Sequence, residues 1–214
     1  MADAVKTRAY NSPRRREQAA ATRRQILDAA QKLFERQGFG ATTMATIASE
    51  AGVALKTVYV AFETKSGVLR ALWNLLLRGD DEDVPVAERA WYREVLEEPD
   101  PAKTLRLNAR NARRVKERVG GVLGVIREAA PLDPDIAALW DRIESDFYDN
   151  QRTVLCSIGL DADAAADVLW TLNHPDVWLL LVGRRGWTPE QWERWFADTA
   201  CAQLLPRSLQ KKPG

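Results

Sequence analysis

The spacing of apolar positions predicts helices along almost the whole chain. In the first predicted helix, residues 17–37, apolar side chains recur at helical intervals and form one stripe: Ile26, Ala30, Leu33 and Phe34. The sequence lacks the strict apolar–polar alternation of strands, and β-branched residues are scattered. The pattern therefore predicts an all-α fold.

Glycines and threonines divide the N-terminal part into short helices. Gly38 and Gly52 are placed to end the first and second helices, since glycine adopts the conformations found at helix C-termini. Thr43, with Thr42 beside it, offers a hydroxyl cap to the second helix, and Thr64 offers one to the fourth. The third and fourth helices are predicted at about Leu55–Phe62 and Lys65–Arg78.

Longer helices are predicted after the acidic stretch Gly79–Asp83, and prolines and glycines separate them. Gly120-Gly121 is interpreted as a bend between two helices. The predicted ranges are 86–98 (begun by Pro85), 102–118, 122–130, 135–157, 162–173, 176–183 and 189–205. His174-Pro175 is expected to kink the chain, and Thr188-Pro189 has the form of a helix start.

Charge is distributed unevenly along the chain. Residues 1–70 contain 12 Lys and Arg against 6 Asp and Glu, a net charge of +6, whereas the remaining 144 residues contain 19 against 24, a net charge of −5. An excess of positive charge at one end is the electrostatic pattern of a nucleic-acid contact surface, although it is also compatible with chance fluctuation.

Several classes of function find no support in the sequence. The apolar run Val177–Val182 is far shorter than the ~20 residues that span a bilayer, and the polar, basic N-terminus is not a secretory signal, so we expect no membrane partner and a cytoplasmic location. Cys156 and Cys201 lie far apart and suggest neither a metal site nor a disulfide framework. The single histidine, His174, is interpreted as a helix-junction residue. No enzyme, metal or cofactor is therefore predicted.

The segment Thr42–Leu69 carries the strongest signal. Two short predicted helices flank a tight turn at Gly52-Val53-Ala54, which leaves the outer face of Leu55–Phe62 free to enter a DNA major groove. The segment closely resembles the DNA-binding region of TetR-family regulators over about 50 residues. The matching positions are Gly38-Phe39, Thr42-Thr43, Ile47-Ala48, Ala51-Gly52-Val53, Thr57-Val58-Tyr59, Phe62, Thr64-Lys65 and Leu69.

This resemblance implies roles for individual residues. Thr43, Thr57, Tyr59 and Lys65 are expected to contact DNA phosphates. Lys56 is expected to reach guanine acceptors, and Leu55 and Val60 to reach thymine methyl groups. Tyr59 is alternatively a half-buried core residue, and Lys65 a solvated helix residue. The run Arg14–Arg16 either follows the DNA backbone, or enters a minor groove, or is a solvated tail.

The sequence departs from the family at the start of the third helix. Ala54 stands where the family usually has Ser or Thr, and the missing cap costs ~1 kcal/mol of helix stability. Leu55-Lys56 replaces the commoner pair of a basic residue and glycine, so no base preference is carried over from relatives.

The resemblance also implies that the rest of the chain binds a small apolar effector. A homodimer is expected as well, because a single helix-turn-helix reads few base pairs. Middle helices supply the candidate pocket residues, which aromatic-lined bundle interiors suit: Trp91, Leu107, Ile126, Trp140, Phe147 and Trp170. The last two helices supply the candidate dimer interface, which alternatively belongs to the core of one chain: Trp178, Leu179, Val182, Trp192, Trp195 and Phe196.

These expectations combine into one hypothesis about organisation and function. The chain is predicted to be a transcriptional regulator, by family a repressor, that binds a palindromic double-stranded DNA operator as a dimer and leaves it when an effector binds. The alternative is a helical ligand-binding protein whose DNA binding is lost or non-specific. The predicted divisions are a disordered basic arm (1–13), a helix-turn-helix domain (14–63), a connecting helix (64–79), an effector-binding and dimerisation domain (80–205) and a flexible tail (206–214).

Overall fold

The protein is all-α, as the apolar spacing predicts. A computed structural model describes residues 13–79 and 88–206, and within these ranges the chain forms helices and no strand. The predicted arm up to residue 12, the predicted helix start at Pro85 and the tail from residue 207 lie outside the described residues. Among the described helices, none combines the length and the apolar character needed to cross a bilayer.

Ten α-helices follow one another in the described ranges. They are α1 (Pro13–Ala41), α2 (Met44–Glu50), α3 (Leu55–Phe62), α4 (Lys65–Arg78), α5 (Ala90–Leu96), α6 (Pro101–Ala129), α7 (Pro134–Ser157), α8 (Ala162–Asn173), α9 (Pro175–Trp178) and α10 (Pro189–Leu204). A 3₁₀ turn at Ala130–Leu132 precedes α7, and a π-helical segment at Leu179–Arg184 follows α9.

The chain divides into two compact units. The boundary falls between Val68 and Leu69, within α4. In the first unit the predicted stripe of α1 is the core, because Ile26, Ala30 and Phe34 are fully buried and Leu33 is almost so. The Phe34 and Phe39 rings stack with their centroids 5.9 Å apart, on either side of the break in α1 at Gly38.

The second unit has its core among α6, α7, α8 and α10. Trp192 and Phe196 are fully buried there, and the Trp192 ring centroid lies 5.1 Å from that of Trp178 and 5.2 Å from that of Phe196. All eight tryptophans of the chain, the first of which is Trp73, belong to this second unit. Tryptophan packing is therefore a feature of the larger unit.

The bend predicted at Gly120-Gly121 is wrong, because α6 continues without interruption from Pro101 to Ala129. A Cβ atom at residue 120 would lie 3.0 Å from Nε1 of Trp178, so the glycine allows the indole to approach the helix. Glycine inside a helix costs about 1 kcal/mol relative to alanine. Burial of a tryptophan side chain against the helix more than offsets that cost.

Two other predicted helices have different limits in the structure. The range 86–98 narrows to α5, Ala90–Leu96, with residues 86 and 87 outside the described part. The range 176–183 begins as α9 and then widens into the π-helical segment, from which the Arg185 amide donates to the Leu180 carbonyl oxygen at 2.9 Å. His174 begins α9, since its Nδ1 accepts from the Asp176 amide at 3.1 Å.

Candidate functional site

The second and third helices form the predicted pair around a tight turn. Thr43 begins α2 with a reciprocal cap: its hydroxyl accepts from the Thr46 amide at 3.1 Å, and the Thr46 hydroxyl accepts from the Thr43 amide at 3.0 Å. Gly52 turns the chain with a φ of 64°, a value that favours glycine. The Val53 amide then donates to the Ala48 carbonyl oxygen at 3.0 Å, which closes the turn.

The α3 helix has one buried and one exposed face. Val58 is fully buried and Phe62 nearly so, whereas Leu55, Tyr59 and Val60 are 42%, 48% and 77% exposed. Large apolar side chains are rarely left on the surface in a group without a binding role. Lys56 is also exposed and Thr57 is half-buried, so the outer face combines apolar groups with one cation and hydroxyls.

Polar side chains of α1 hold the C-terminal ends of α2 and α3. The Arg23 guanidinium donates to the Ala61 carbonyl oxygen at 2.8 Å and lies 4.2 Å from the centroid of the Phe62 ring. The amide of Gln25 donates to the Ala51 carbonyl oxygen at 2.8 Å. Both carbonyls belong to helix ends that lack intrahelical partners. The sequence reasoning missed both residues, because a polar face on a first helix looks like a solvated surface.

Lys65 has partners within the first unit. Its ammonium donates to the Phe39 carbonyl oxygen at 2.6 Å and lies 4.0 Å from the centroid of the Phe39 ring. The side chain therefore joins the start of α4 to the end of α1, a role that the sequence did not indicate. Its predicted phosphate contact stays a prediction.

The junction between α3 and α4 is sterically tight. Glu63 adopts a positive φ of 61°, which costs energy for any residue with a Cβ. A Cβ atom at Gly67 would collide with the Phe62 carbonyl oxygen, so this position requires glycine. Thr64 caps α4, as predicted, by accepting from the Gly67 amide at 2.9 Å. The junction fixes the end of α3 relative to the helix that follows.

The start of α3 carries no side-chain cap. Ala54 adopts the extended conformation typical of a cap, with φ −67° and ψ 140°, but it has no oxygen to accept from the first amides. The arginines of the Arg14–Arg16 run are exposed and lie in the first turn of α1, so this run is helical.

The second unit contains a polar cavity that the sequence did not predict. We call it the Lys116 cavity; its volume is about 60 Å³. Its polar lining groups are Asn108, Asn111, Lys116, Asn150, Gln151 and Asn173, and its aromatic ones are Trp91, Tyr92 and Phe147. Burial raises the pKa of the Tyr92 hydroxyl, and desolvation lowers the pKa of the Lys116 ammonium to about 7.

An adjoining cavity of about 250 Å³ shares Leu77, Phe147 and Asn150 with the first. We call it the Asp146 cavity, after the carboxyl group in its lining, whose pKa is raised by burial. Together the two cavities offer a polar end and a larger space with aromatic walls.

The six predicted pocket residues lie in different surroundings in the structure. Trp91 and Phe147 line the Lys116 cavity. Leu107, Ile126 and Trp140 are buried side chains of the second unit. Trp170 is half-buried, with its ring centroid 6.1 Å from that of Tyr148 and 4.8 Å from that of His174.

The structure also divides the six predicted interface residues. Trp178, Trp192 and Phe196 are buried within a single chain, so their side chains retain almost no surface for a partner to cover. Leu179, Val182 and Trp195 are half-buried and keep some exposed surface. Leu180, in the same segment as Leu179 and Val182, is 52% exposed. Apolar spacing alone does not distinguish a core side chain from an interface side chain.

The first unit and α4 thus contain a helix-turn-helix, which is joined in sequence to a larger helical unit. Residues 26–72 match the family model described as bacterial regulatory proteins, tetR family. This N-terminal region of the chain is therefore similar to that family.

Curated relatives match the same N-terminal region. The chain is 38% identical over 60 residues to the HTH-type transcriptional regulator AcrR of Shigella flexneri, covering 28% of each protein. It is 40% identical over 63 residues to the HTH-type transcriptional regulator TtgR of Pseudomonas putida, covering 29% of this chain and 30% of that protein. The matched segment therefore spans less than a third of either relative.

Solved structures match nearly the whole chain in fold. The SmeT–triclosan complex superposes with a TM-score of 0.68 at 20% identity, covering 91% of this chain and 99% of that one. NalD, the secondary repressor of the MexAB-OprM multidrug efflux pump in Pseudomonas aeruginosa, superposes with a TM-score of 0.67 at 20% identity, covering 89% and 99%. At these identities the likeness establishes the fold alone.

Proposed function

We propose that the protein is a transcriptional repressor that binds a specific DNA sequence and releases it when a small molecule binds. The observation that carries the proposal is the outer face of α3, where Leu55, Tyr59 and Val60 are exposed on a helix held in place by its buried face. A helix presented in this way fits the major groove, which is about 12 Å wide.

Individual contacts follow from position on α2 and α3. Thr43 and Tyr59 contact phosphates, as does the half-buried Thr57. Leu55, Lys56 and Val60 lie on the exposed face and contact base edges. Lys65 reaches a phosphate if it gives up or shares its contact with the Phe39 carbonyl.

We propose further that two copies bind a palindromic site. One helix-turn-helix reads few base pairs, and a dimer gains affinity by reading two half-sites. The exposed parts of Leu179, Val182 and Trp195, together with Leu180, supply apolar surface for such a dimer. Trp178, Trp192 and Phe196 support it from beneath rather than by direct contact.

The effector binds in the second unit. The Lys116 cavity and the Asp146 cavity together provide space for a small molecule, and Leu77 of α4 lines both. A ligand that binds one conformer better than another shifts the population toward it. Because Lys65 begins α4 and Leu77 lies near its end, a displacement of this helix is the proposed route of the coupling.

A duplex from the region beside the protein's own gene tests the DNA-binding part. Fluorescence polarisation of the full chain, with excess competitor DNA at physiological salt, is expected to give at least a hundredfold preference for that duplex over a scrambled one. Equal affinity for both would favour the alternative protein class, a helical ligand-binding protein without specific DNA recognition.

A matched pair of lysine variants identifies the contact face. Lys56→Ala on α3 is expected to weaken binding at least fivefold, since it removes a cation from the exposed face. Lys103→Ala, an exposed lysine on α6 that pairs with Glu98, is expected to leave affinity unchanged. If both variants bind like the unmodified protein, α3 is not the recognition helix.

A further inference from the structure

Lys116 is a cation that is buried without an acidic partner. Its side chain is 1% exposed, and across residues 13–79 and 88–206 no carboxylate is paired with its ammonium group. Unpaired buried charges are costly, and proteins that retain them usually hold a counter-ion or use the charge. Packing alone therefore does not explain why Lys116 is buried.

The hydrogen bonds of Lys116 leave one donor without a partner. The ammonium donates to the backbone oxygen of Asn173 at 2.8 Å and to Oδ1 of the same residue at 2.6 Å. A lysine ammonium has three N–H groups. The third has no acceptor among the described residues, and the group borders the Lys116 cavity. An incoming acceptor would complete its coordination.

Aromatic rings surround the same group. The ammonium nitrogen lies 4.7 Å from the centroid of the Phe147 ring and 5.2 Å from that of the Trp192 ring, which favours the charged form. Desolvation nevertheless holds the pKa of Lys116 at about 7, so the group changes charge near neutral pH. A bound anion would shift it toward the charged form.

The other titratable groups around Lys116 are engaged elsewhere or lie in the adjoining cavity. Glu193 of α10 pairs with Arg113 of α6, and Glu144 of α7 lies 3.1 Å from Nε2 of His174. Tyr92 of α5 lines the Lys116 cavity, and Asp146 and Asp149 of α7 line the Asp146 cavity. None of these groups is paired with the Lys116 ammonium.

We propose that the effector is a small aromatic acid whose carboxylate accepts from Lys116 and whose ring extends toward the Asp146 cavity. The inference rests on the effector role proposed above for this unit. It replaces the purely apolar effector expected from the sequence. Asn108 and Asn111 provide polar groups beside the carboxylate, and Trp91 and Phe147 provide walls for the ring.

The proposal predicts how the affinity for the acid depends on pH. The acid binds the protonated form of Lys116, so binding takes up protons at and above pH 7. Its affinity falls by up to about tenfold per pH unit above pH 7, whereas below pH 7 Lys116 adds no further pH dependence. A neutral ligand of the same shape has no such dependence.

Titration calorimetry of the full chain tests the proposal with two matched pairs, benzoate against benzamide and indole-3-acetate against indole-3-acetamide. At pH 6.0 we expect at least one acid to bind tenfold more tightly than its amide. Repeating the titration at pH 8.5, in two buffers of different ionisation enthalpy, should show weaker binding with net proton uptake.

Two variants test whether Lys116 causes the preference for the acid over the amide. Lys116→Met removes the charge at similar length, and the preference for the acid over the amide is expected to disappear. Lys103→Met, on the same helix but exposed, is expected to keep it. The proposal is overturned if neither acid binds at millimolar concentration, if acid and amide bind equally, or if Lys116→Met keeps the preference. Should Lys116→Met fail to fold, the pH profile and proton uptake of the unmodified protein decide.

Polarisation with the duplex used above separates this inference from the proposed function. If an acid binds through Lys116 while DNA affinity is unchanged, the site stands and the effector role fails. If a neutral aromatic molecule releases DNA while no acid binds, the effector role stands and the assignment to Lys116 fails.

Discussion

Two candidate sites, the exposed face of α3 in the first unit and the Lys116 cavity in the second, depart from ordinary packing in opposite directions. The first places apolar side chains, Leu55, Tyr59 and Val60, on its surface, whereas the second places polar ones, Lys116 and Gln151, in its interior. Each departure is surrounded by conventional packing, and each coincides with a proposed binding site. The comparison suggests that function in this chain is found where side-chain polarity and burial disagree.

The largest expected effect on stability distinguishes a buried aromatic side chain of the second unit from an exposed apolar side chain of α3. Phe196→Ala removes a fully buried ring from the second unit and is expected to lower the free energy of unfolding by about 3–5 kcal/mol. Val60→Ala, at a side chain that is 77% exposed, should change it by less than about 0.5 kcal/mol. Urea denaturation measures both. A large loss for Val60→Ala would mean that α3 packs through the face we describe as free.

The next largest effect is the pH dependence of stability that the lowered pKa of the buried Lys116 produces. The pKa of Lys116 is about 7 in the folded chain and 10.5 in a solvated lysine, so between these values the unfolded chain holds a proton that the folded chain has released. Rising pH therefore favours folding by up to about 1.4 kcal/mol per pH unit in that window, and Lys116 contributes no slope below pH 7.

Lys116→Met removes this contribution. Measured by urea unfolding at pH 7 and pH 9, the unmodified protein should gain about 2–3 kcal/mol relative to the variant. Parallel pH profiles for the two proteins would show that Lys116 is solvated in solution.

A smaller effect tests the tight junction that fixes α3. Gly67→Ala introduces a Cβ against the Phe62 carbonyl oxygen and is expected to cost about 1–3 kcal/mol. Gly40→Ala is the matched control, since a Cβ there meets nothing within 4 Å. Differential scanning calorimetry should show a lower melting temperature for the first variant and no decrease for the second.

The smallest effect supplies the missing cap. Ala54→Ser provides a hydroxyl at an extended position before α3 and is expected to stabilise the protein by about 1 kcal/mol. Ala45→Ser places the same hydroxyl inside α2, where serine is less favourable than alanine. If thermal melts show the same shift for both substitutions, the gain does not come from capping.

The sequence predicted the first unit more closely than the second for a physical reason. The limits of α3 and α4 match the prediction because Gly52, Thr64 and the apolar face of each helix are local signals. The double glycine in α6 was misread because its role depends on Trp178, which is distant in sequence and packs against Gly120. Local patterns do not contain such contacts.

Prediction of the candidate sites from the sequence is limited in the same way, because local patterns do not contain contacts between distant residues. The exposed face of α3 follows from the helical period and the inward positions of Val58 and Phe62. Lys116, in contrast, is one lysine on a long helix rich in charged residues, and the sequence gives no sign that it points inward. Its burial follows from the packing of α7, α8 and α10 around α6, which only the three-dimensional structure reveals.

All eight tryptophans lie in the second unit, so intrinsic tryptophan fluorescence reports on that unit. Light absorbed selectively by indole is emitted from that unit alone, while Tyr59 on α3 contributes nothing to the signal. Because Trp91 borders the Lys116 cavity, occupancy of the cavity can be followed by quenching without any label. Changes in that emission when only DNA is added would then report communication from the first unit, whose sequence contains no tryptophan.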